Sequence, residues 1–477
     1  MPAIATTLQT PGYWALSVAD RLMVDTATDP DFGPWLEQIR RIGGCEHPIY
    51  LTGSSTTFDA ATGEVLARLD SAQLPHGRLA IACGNRRASR CRPCSYLHQG
   101  DTYHLIVAGL AGGKSLPTQV RVHPRVFATF TAPGFGPVHR ATPAGRTCRP
   151  HRRGTCEHGT PRSCETDHAA ADPLIGTPLC PACYDYPSAV LWNAFTGDLW
   201  RYLRRDLERA IARAVGITRT ALKGHARISF AKVAEYQRRG AIHFHAVVRL
   251  DGPEGPADPP PAWASVELLT VALRQAAARV RVHVPQTAAL GQIELTWGRQ
   301  LDIRPIIFDA GTDNDLTERA VASYIAKYVT KGHLPGVTVD SRIRHASAIE
   351  TLNVTDHVRT LIRTCWRLGA LAELGPLGLR RWSHQLGYRG HVTTKSRAYS
   401  TTYTALRQVR ADHRRAETDG IATPDTPPET ITAARWSYNG SGYSAGQAMF
   451  AESVTDAVLS RREIAREIRD GEEPDDA

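Results

Sequence analysis

The chain has 477 residues, 42% hydrophobic and 22% charged, a composition that folds around ordinary cores and excludes wholesale disorder, over a length that suits two or three domains. A formal net charge of +10 favours an anionic partner, and nucleic acid is the commonest, although charge alone proves none. The opening MPAIATTLQTPGYWALSVAD lacks the basic start and apolar run of a signal peptide, and no apolar stretch reaches membrane-spanning length, so a cytoplasmic protein with no membrane partner is expected.

Residues 1–40 are mixed and carry little signal. From CEHPIYLTGSSTTFDAATGEVLARLD (45–70) short strand-like runs alternate with Gly, Asp and Thr turns. GLAGGKSLP (109–117) resembles a phosphate loop, but Ala108 stands where the first glycine is needed, and Pro117 follows too soon for the receiving helix. No nucleotide is therefore expected. PRVFATFTAPG (124–134) is a strand bounded by prolines. Residues 141–187 are rich in Pro, Arg, Cys and His with few large aliphatics, and cannot bury a core unaided. Helical spacing returns at 188–215, followed by a hairpin, the loop DGPEGPADPPPAWAS (251–265), a helix near 265–280 and a strand near 291–296. The last 140 residues read as mainly helical, with a basic, Gly-rich interruption at 378–402.

Eight of the ten cysteines fall between residues 83 and 183, with Cys45 and Cys365 apart. A disulfide framework is not expected in the cytoplasm, and a redox C-x-x-C would not need so many neighbouring cysteines. The pairs CRPC (91–94) and CPAC (180–183) have the spacing that brings two thiolates to one tetrahedral zinc. Structural Zn2+ is therefore expected on Cys83, Cys91, Cys94, Cys148, Cys156, Cys164, His168, Cys180 and Cys183. One grouping puts the two C-x-x-C pairs on one ion and Cys148, Cys156, Cys164 and His168 on another. His98, His151 and His158 are spare candidates.

RISFAKVAEYQRRGAIHFHAVVRL (227–250) reads as two strands flanking the turn Arg238-Arg239-Gly240. If Gln237 pairs with Ala241, Glu235 lies opposite His243, and His243 and His245 share its face. The other face, with Ile228, Phe230, Ala234 and Tyr236 against Leu250, Val248, Phe244 and Ile242, is apolar. Two imidazoles and a carboxylate make a divalent-cation site with open positions. A one-residue slip of the register would remove Glu235 from it.

RAVASYIAKYVTKGH (319–333) places Tyr324 and Tyr328 about one helical turn apart, with Lys327 and Lys331 near that face. Such a pair is commonly packing. Two phenols beside two lysines are also what transesterification on DNA uses, the phenolate attacking and the cation stabilising the crowded phosphate.

F-x-T-x-T at 127–131, H-hydrophobe-H at 243–245 and Y-x-x-x-Y with its lysines at 324–331 occur in that chain order. Together they resemble the HUH endonucleases, most closely rolling-circle initiators of the two-tyrosine form. Across about residues 45–402 the chain looks like the replication initiators of actinobacterial plasmids and integrative elements, through CGNRRASRCRPC, HPRVFATFTAPGFGPVH, LCPACYDYPSAVLWNAFTGDLW and GYRGHVTTKSRAYSTT.

The resemblance implies an α+β fold with a five-stranded antiparallel sheet and helices on one face. It implies Mg2+ or Mn2+ on His243 and His245, with Glu235, and site-specific nicking and joining of origin DNA through a 5′-phosphotyrosine. First attack falls to Tyr328 and resolution to Tyr324, with Lys327 and Lys331 as phosphate stabilisers. The organisation expected is an N-terminal region (1–82), a zinc-binding segment (83–187) interleaved with the first nuclease strand (123–134), a nuclease core (188–335) and a mainly helical remainder (336–477). Arg389, Lys395, Arg397 and Tyr399 are candidate contacts to single-stranded or extruded DNA. Host helicase and polymerase are the further partners implied. A two-tyrosine transposase and a non-catalytic zinc DNA-binding regulator are the competing readings.

Overall fold

The computed structural model describes residues 12–142, 146–150, 154–307, 317–330, 339, 341–419 and 429–472. In chain order its longer helices are α1 (Val18–Ala27), α2 (Phe32–Arg41), α3 (Arg92–Ala111), α4 (Tyr186–Ala214), α5 (Val266–Arg279), α6 (Glu318–Thr330), α7 (Asp356–Leu368), α8 (Tyr403–Asp419) and α9 (Ala445–Glu472). The strands are β1 (Ile49–Asp59), β2 (Val65–Asp70), β3 (Leu79–Ile81), β4 (Arg125–Phe130), β5 (Arg227–Tyr236), β6 (Ile242–Asp251), β7 (Val282–His283), β8 (Glu294–Leu295), β9 (Leu301–Pro305), β10 (Thr393–Lys395) and β11 (Thr430–Ser441). It is a mixed α+β fold with antiparallel sheets. No helix among the described residues is long and apolar enough to cross a membrane.

Two compact units divide the chain: residues up to Asp101 with those from Thr404, and Thr102–Tyr403. This differs from the four consecutive segments expected from sequence. The cause is β11, a 12-residue strand in the region read as mainly helical, which pairs with β1 from Ile49↔Ser441 to Asp59↔Thr430. In that first unit a small core of Trp35, Ile39, Tyr50, Ala80, Ala451 and Val454 forms beside the sheet β11-β1-β2, with β3 on β1.

The second unit is built on a five-stranded sheet, order β10-β5-β6-β4-β9, with every neighbouring pair antiparallel. Its central hairpin turns at Arg238-Arg239-Gly240, closed by Gln237 N–H to Ala241 O at 2.9 Å and Gly240 N–H to Gln237 O at 2.8 Å. Gly240 takes φ +78°, where a side chain is strained, and a Cβ there would lie 2.6 Å from Leu361 Cδ1. Both constraints demand glycine.

α4 begins where Asp185 caps it, Oδ1 accepting from Ser188 N–H at 3.0 Å, and ends before Gly216. Its apolar face, including Trp192, Leu199, Trp200, Leu203 and Leu207, is buried against the sheet. There the rings of Phe130, Phe230 and Phe244 lie 5.2–5.8 Å from Trp200, mostly edge to face. Such ring pairs add to area burial, and truncating one of these aromatics would cost about 3–5 kcal/mol. The buried Asn193 of α4 grips the hairpin turn, donating to Gly240 O (2.8 Å) and Leu386 O (3.0 Å) and accepting from Ile242 N–H (2.9 Å).

The opposite sheet face is covered in two places. Near the Asp251 end, Asp251 accepts from Arg249, from Ser229 Oγ at 2.6 Å and from His123 Nδ1 at 2.8 Å, all buried. Arg249 also donates to Gly109 O, in the last turns of α3. The segment that resembles a phosphate loop is thus a helix end. Gly109 is small because the Tyr399 ring packs on it, within 2.3 Å of where a Cβ would stand. Near the hairpin-turn end the same face lies under α6.

Candidate functional site

The site begins with register. β5 and β6 pair as Glu235↔His243 and Val233↔His245, so alternation puts the carboxylate and both imidazoles on the face away from α4. Glu235 Oε2 lies 2.9 Å from His243 Nε2 and 3.1 Å from His245 Nε2, and the two nitrogens are 3.2 Å apart. Three atoms so spaced converge on one point. Adjacent ligands of an octahedral ion at about 2.1 Å are separated by about 3.0 Å, so the set fits one face of an octahedron and leaves three positions open. The side chains of His243 and Glu235 are 16% and 22% exposed and that of His245 only 5%, so the site opens to solvent on the Glu235–His243 side.

The electrostatics suit a cation. Burial raises the Glu235 carboxyl pKa, but hydrogen bonds and charge from His243 and His245 outweigh it and bring the value down to about 2. Burial lowers the pKa of His245, which favours the neutral imidazole that a metal takes as ligand.

β4 supplies the support. Thr129 pairs with His245 across β4 and β6, and its Oγ1 lies 3.1 Å from His245 Nδ1. With Nε2 aimed at the convergence point, Nδ1 carries the proton and donates to Thr129, which fixes both tautomer and ring plane. The Phe127 ring lies parallel to His245 with centroids 5.8 Å apart, and edge-on to Tyr324 at 5.7 Å. In the sequence this motif showed only a strand. The signal that finds it is the threonine two residues after Phe127, on the same face.

Helix α6 brings the phenols. Tyr324 Oη is 3.1 Å from His245 Nε2, and the Tyr324 and Tyr328 rings stand 4.5 Å apart. The Tyr328 ring is 5.8 Å from that of His245. Burial, then the hydrogen bond with Tyr328, raises the Tyr324 pKa well above the ordinary phenol value. Lys327 is exposed on the same helix. Lys331 lies outside the described residues. Arg125 of β4 holds α6 by a buried ion pair with Glu318 in its first turn.

The candidate DNA contacts differ in their exposure. Arg389 is exposed, and Arg397 lines a cavity of about 330 Å3 with Arg204, Arg219, Lys223 and Arg227. Lys395 is half-buried, and its Nζ donates to Ser400 O at 2.8 Å. Tyr399 is a correction: it is fully buried over Gly109, with its Oη donating to Ile106 O, so it cannot stack on a base.

The cysteines separate into three groups. Cys45, Cys83, Cys91 and Cys94 form one, Cys156, His158, Cys180 and Cys183 a second, and His139, Cys164 and His168 a third. The two C-x-x-C pairs therefore belong to different groups, unlike in the one grouping offered from spacing. Cys45, set apart in the sequence, joins the first, the spare candidate His158 joins the second and His139 enters the third, while Cys148 falls in none of them. His98 belongs to none of these groups, and His151 lies outside the described residues.

Fold and site thus define an α+β protein in which a two-histidine, one-carboxylate triad on an antiparallel sheet faces two phenols on a helix. Residues 31–456 match a protein family described as RepSA, replication initiator protein of pSAM2, and the chain belongs to that replication initiator family. A replication initiator protein of Streptomyces ambofaciens is 47% identical over 455 residues, covering 94% of this chain and 95% of that one. No solved structure matches the chain.

Proposed function

We propose that this replication initiator works by the rolling-circle route, binding its origin DNA and nicking one strand through a tyrosine. The observation that carries this reading is the convergence of Glu235, His243 and His245 within 3.2 Å of one another, with Tyr324 Oη 3.1 Å from His245 Nε2. On this reading the fold is the HUH type and the triad takes Mg2+ or Mn2+.

A bound ion would supply Lewis acidity to the scissile phosphate and hold it in place. The protein does the rest. Glu235 stays ionised, and burial disfavours a charge on His245, so both suit a cation. A tyrosine Oη attacks phosphorus, a P–Oη bond forms, the P–O3′ bond breaks, and the phenolic proton is lost as the 3′ oxygen gains one. The products are a 5′-phosphotyrosine and a free 3′-OH that a polymerase can extend. The second tyrosine repeats the exchange to close the circle. The resemblance assigns first attack to Tyr328. The position of Tyr324 Oη, 3.1 Å from His245 Nε2 and so beside the point where the ion would sit, favours Tyr324 instead, with Tyr328 resolving. Lys327, exposed next to Tyr328 on the same helix, would approach the phosphate oxygens. Arg389 and Arg397 are the exposed residues among the candidate contacts to the strand, and unwinding falls to a host helicase.

Family membership favours an initiator over a transposase of the same chemistry. The test is cleavage of single-stranded origin DNA with Mn2+ or Mg2+ by wild type, Tyr324→Phe and Tyr328→Phe. A metal-dependent covalent adduct on the 5′ end, lost in Tyr324→Phe and kept in Tyr328→Phe, is the expected result. Loss only in Tyr328→Phe reverses the order. Tight binding with no adduct in any metal leaves a non-catalytic DNA-binding regulator.

A further inference from the structure

The segment between β4 and α4, residues 131–185, contains no strand and only the short helix Pro181–Cys183 among its described residues, so hydrophobic burial alone does not account for its shape. Three side-chain clusters stand along the chain around it. In the first, Cys45 Sγ is 3.8 Å from Cys91 Sγ and 3.6 Å from Cys94 Sγ, and Cys83 Sγ is 3.7 Å from Cys94 Sγ. These spacings are far beyond the roughly 2.05 Å of a disulfide. They match the edge of a tetrahedron around zinc, about 3.8 Å for Zn–S bonds of about 2.3 Å. Backbone N–H groups point at the sulfurs, from Cys83 to Cys45 Sγ at 3.2 Å and from Asn85 to Cys83 Sγ at 3.5 Å, as suits thiolates.

In the second cluster His158 Nδ1 is 3.2 Å from Cys183 Sγ, with Cys156 and Cys180 completing four ligand atoms within 4.8 Å of one another. In the third, His168 Nε2 lies 3.1 Å from His139 Nδ1 and 3.3 Å from Cys164 Sγ. The other nitrogen of His168 meets Asp172 Oδ2 at 2.6 Å, the carboxylate support that metal-bound histidines commonly have. Cys148 is fully buried beside this group, accepting at Sγ from Arg140 N–H (3.3 Å), and its carbonyl accepts from Cys164 N–H (3.0 Å).

We propose that the chain carries three zinc ions: one on Cys45, Cys83, Cys91 and Cys94, one on Cys156, His158, Cys180 and Cys183, and one on His139, Cys164 and His168. The last two brace the β5–β6 turn. Asp172 O, four residues past His168, accepts from Arg238 Nη1 at 3.2 Å, and Tyr184, next to Cys183, donates from Oη to Arg239 O at 3.3 Å. The register that puts Glu235 against His243 is set at that turn. The inference is independent of whether the protein cuts DNA.

The test is elemental analysis of the full chain purified without chelator, beside Cys91→Ser, Cys180→Ser and the double variant. Three zinc ions per chain, falling to two in each single variant and one in the double, is the expected result. Fewer than three in wild type overturns the proposal. A double variant that keeps two overturns it as well, because the C-x-x-C pairs would then share an ion. Cobalt substitution of wild type gives a readout that needs no variant: intense tetrahedral absorption with thiolate charge transfer supports the sites, and a weak octahedral spectrum overturns them. For the brace, zinc removal should speed amide exchange at Gly240 and Ala241 more than tenfold, and unchanged exchange there overturns that role.

Discussion

Thr129 Oγ1 lies 3.1 Å from His245 Nδ1, joining the β4 motif to the histidine whose other nitrogen faces Glu235 and Tyr324. Thr129→Val keeps the shape and removes the acceptor that holds the ring. Mn2+ affinity, read by calorimetry on the full chain, should fall by about 10–100-fold while the thermal midpoint barely moves. An unchanged affinity would mean that the Phe127 stack alone orients the ring.

The Arg125–Glu318 pair is nearly sealed from solvent, the side chains being 2% and 9% exposed. Removing one partner of such a pair strands the other charge at a cost of about 3–5 kcal/mol. Glu318→Gln should therefore lower the denaturant midpoint sharply, and since Glu318 sits in the first turn of the helix carrying Tyr324 and Tyr328, it should also weaken the nicking proposed above. The double variant Arg125→Met with Glu318→Leu should recover most of the stability. If it is as unstable as Glu318→Gln, packing rather than the stranded charge is responsible.

Gly240→Ala tests the turn. It places a Cβ at φ +78° and within 2.6 Å of Leu361 Cδ1. Strain plus clash should cost about 2 kcal/mol or more. Because the turn sets the pairing of Glu235 with His243, Mn2+ affinity should fall with it. Full metal affinity in a destabilised variant would show that the register survives without the turn.

The β5–β6 face was legible in the sequence because the turn and the alternation are local. A three-residue loop ending in glycine fixes one pairing, and period two then decides which residues share a face. What escaped was set by distant pairing. Cys45 reaches Cys83 because β1 pairs with β3 at Ile49↔Ile81, which brings the residues just before one strand beside those just after the other. Nothing within ten residues of Cys45 announces this. The strand β11 was missed for the same reason, since its partner β1 lies at the far end of the chain. Tyr399 looked like a surface aromatic in a basic stretch, and only the approach of α3 at Gly109 shows why its ring is buried. The cysteine spacing drew attention to the residues that cluster, while their sorting into three groups depended on the path between β4 and α4, where no periodicity exists to read.

Lys232 raises a question of stability. It lies on the α4 side of β5, 7% exposed, with Nζ 3.8 Å from the Phe244 ring centroid and 5.5 Å from that of Trp200. Burial lowers its pKa to about 7. Between that value and the ordinary lysine value near 10.4, the unfolded chain binds a proton that the folded chain does not, so stability rises with pH across this window. Below pH 7 both states are protonated and the full cost of the buried ammonium is present, reduced by its attraction to the two rings. Lys232→Met should therefore stabilise the protein at pH 7 by on the order of 1–3 kcal/mol. It should also flatten the rise in urea midpoint between pH 7 and pH 9 expected of wild type. A variant less stable than wild type at pH 7, with the same pH slope, would mean that the ring contacts outweigh desolvation and that the ammonium contributes to the core.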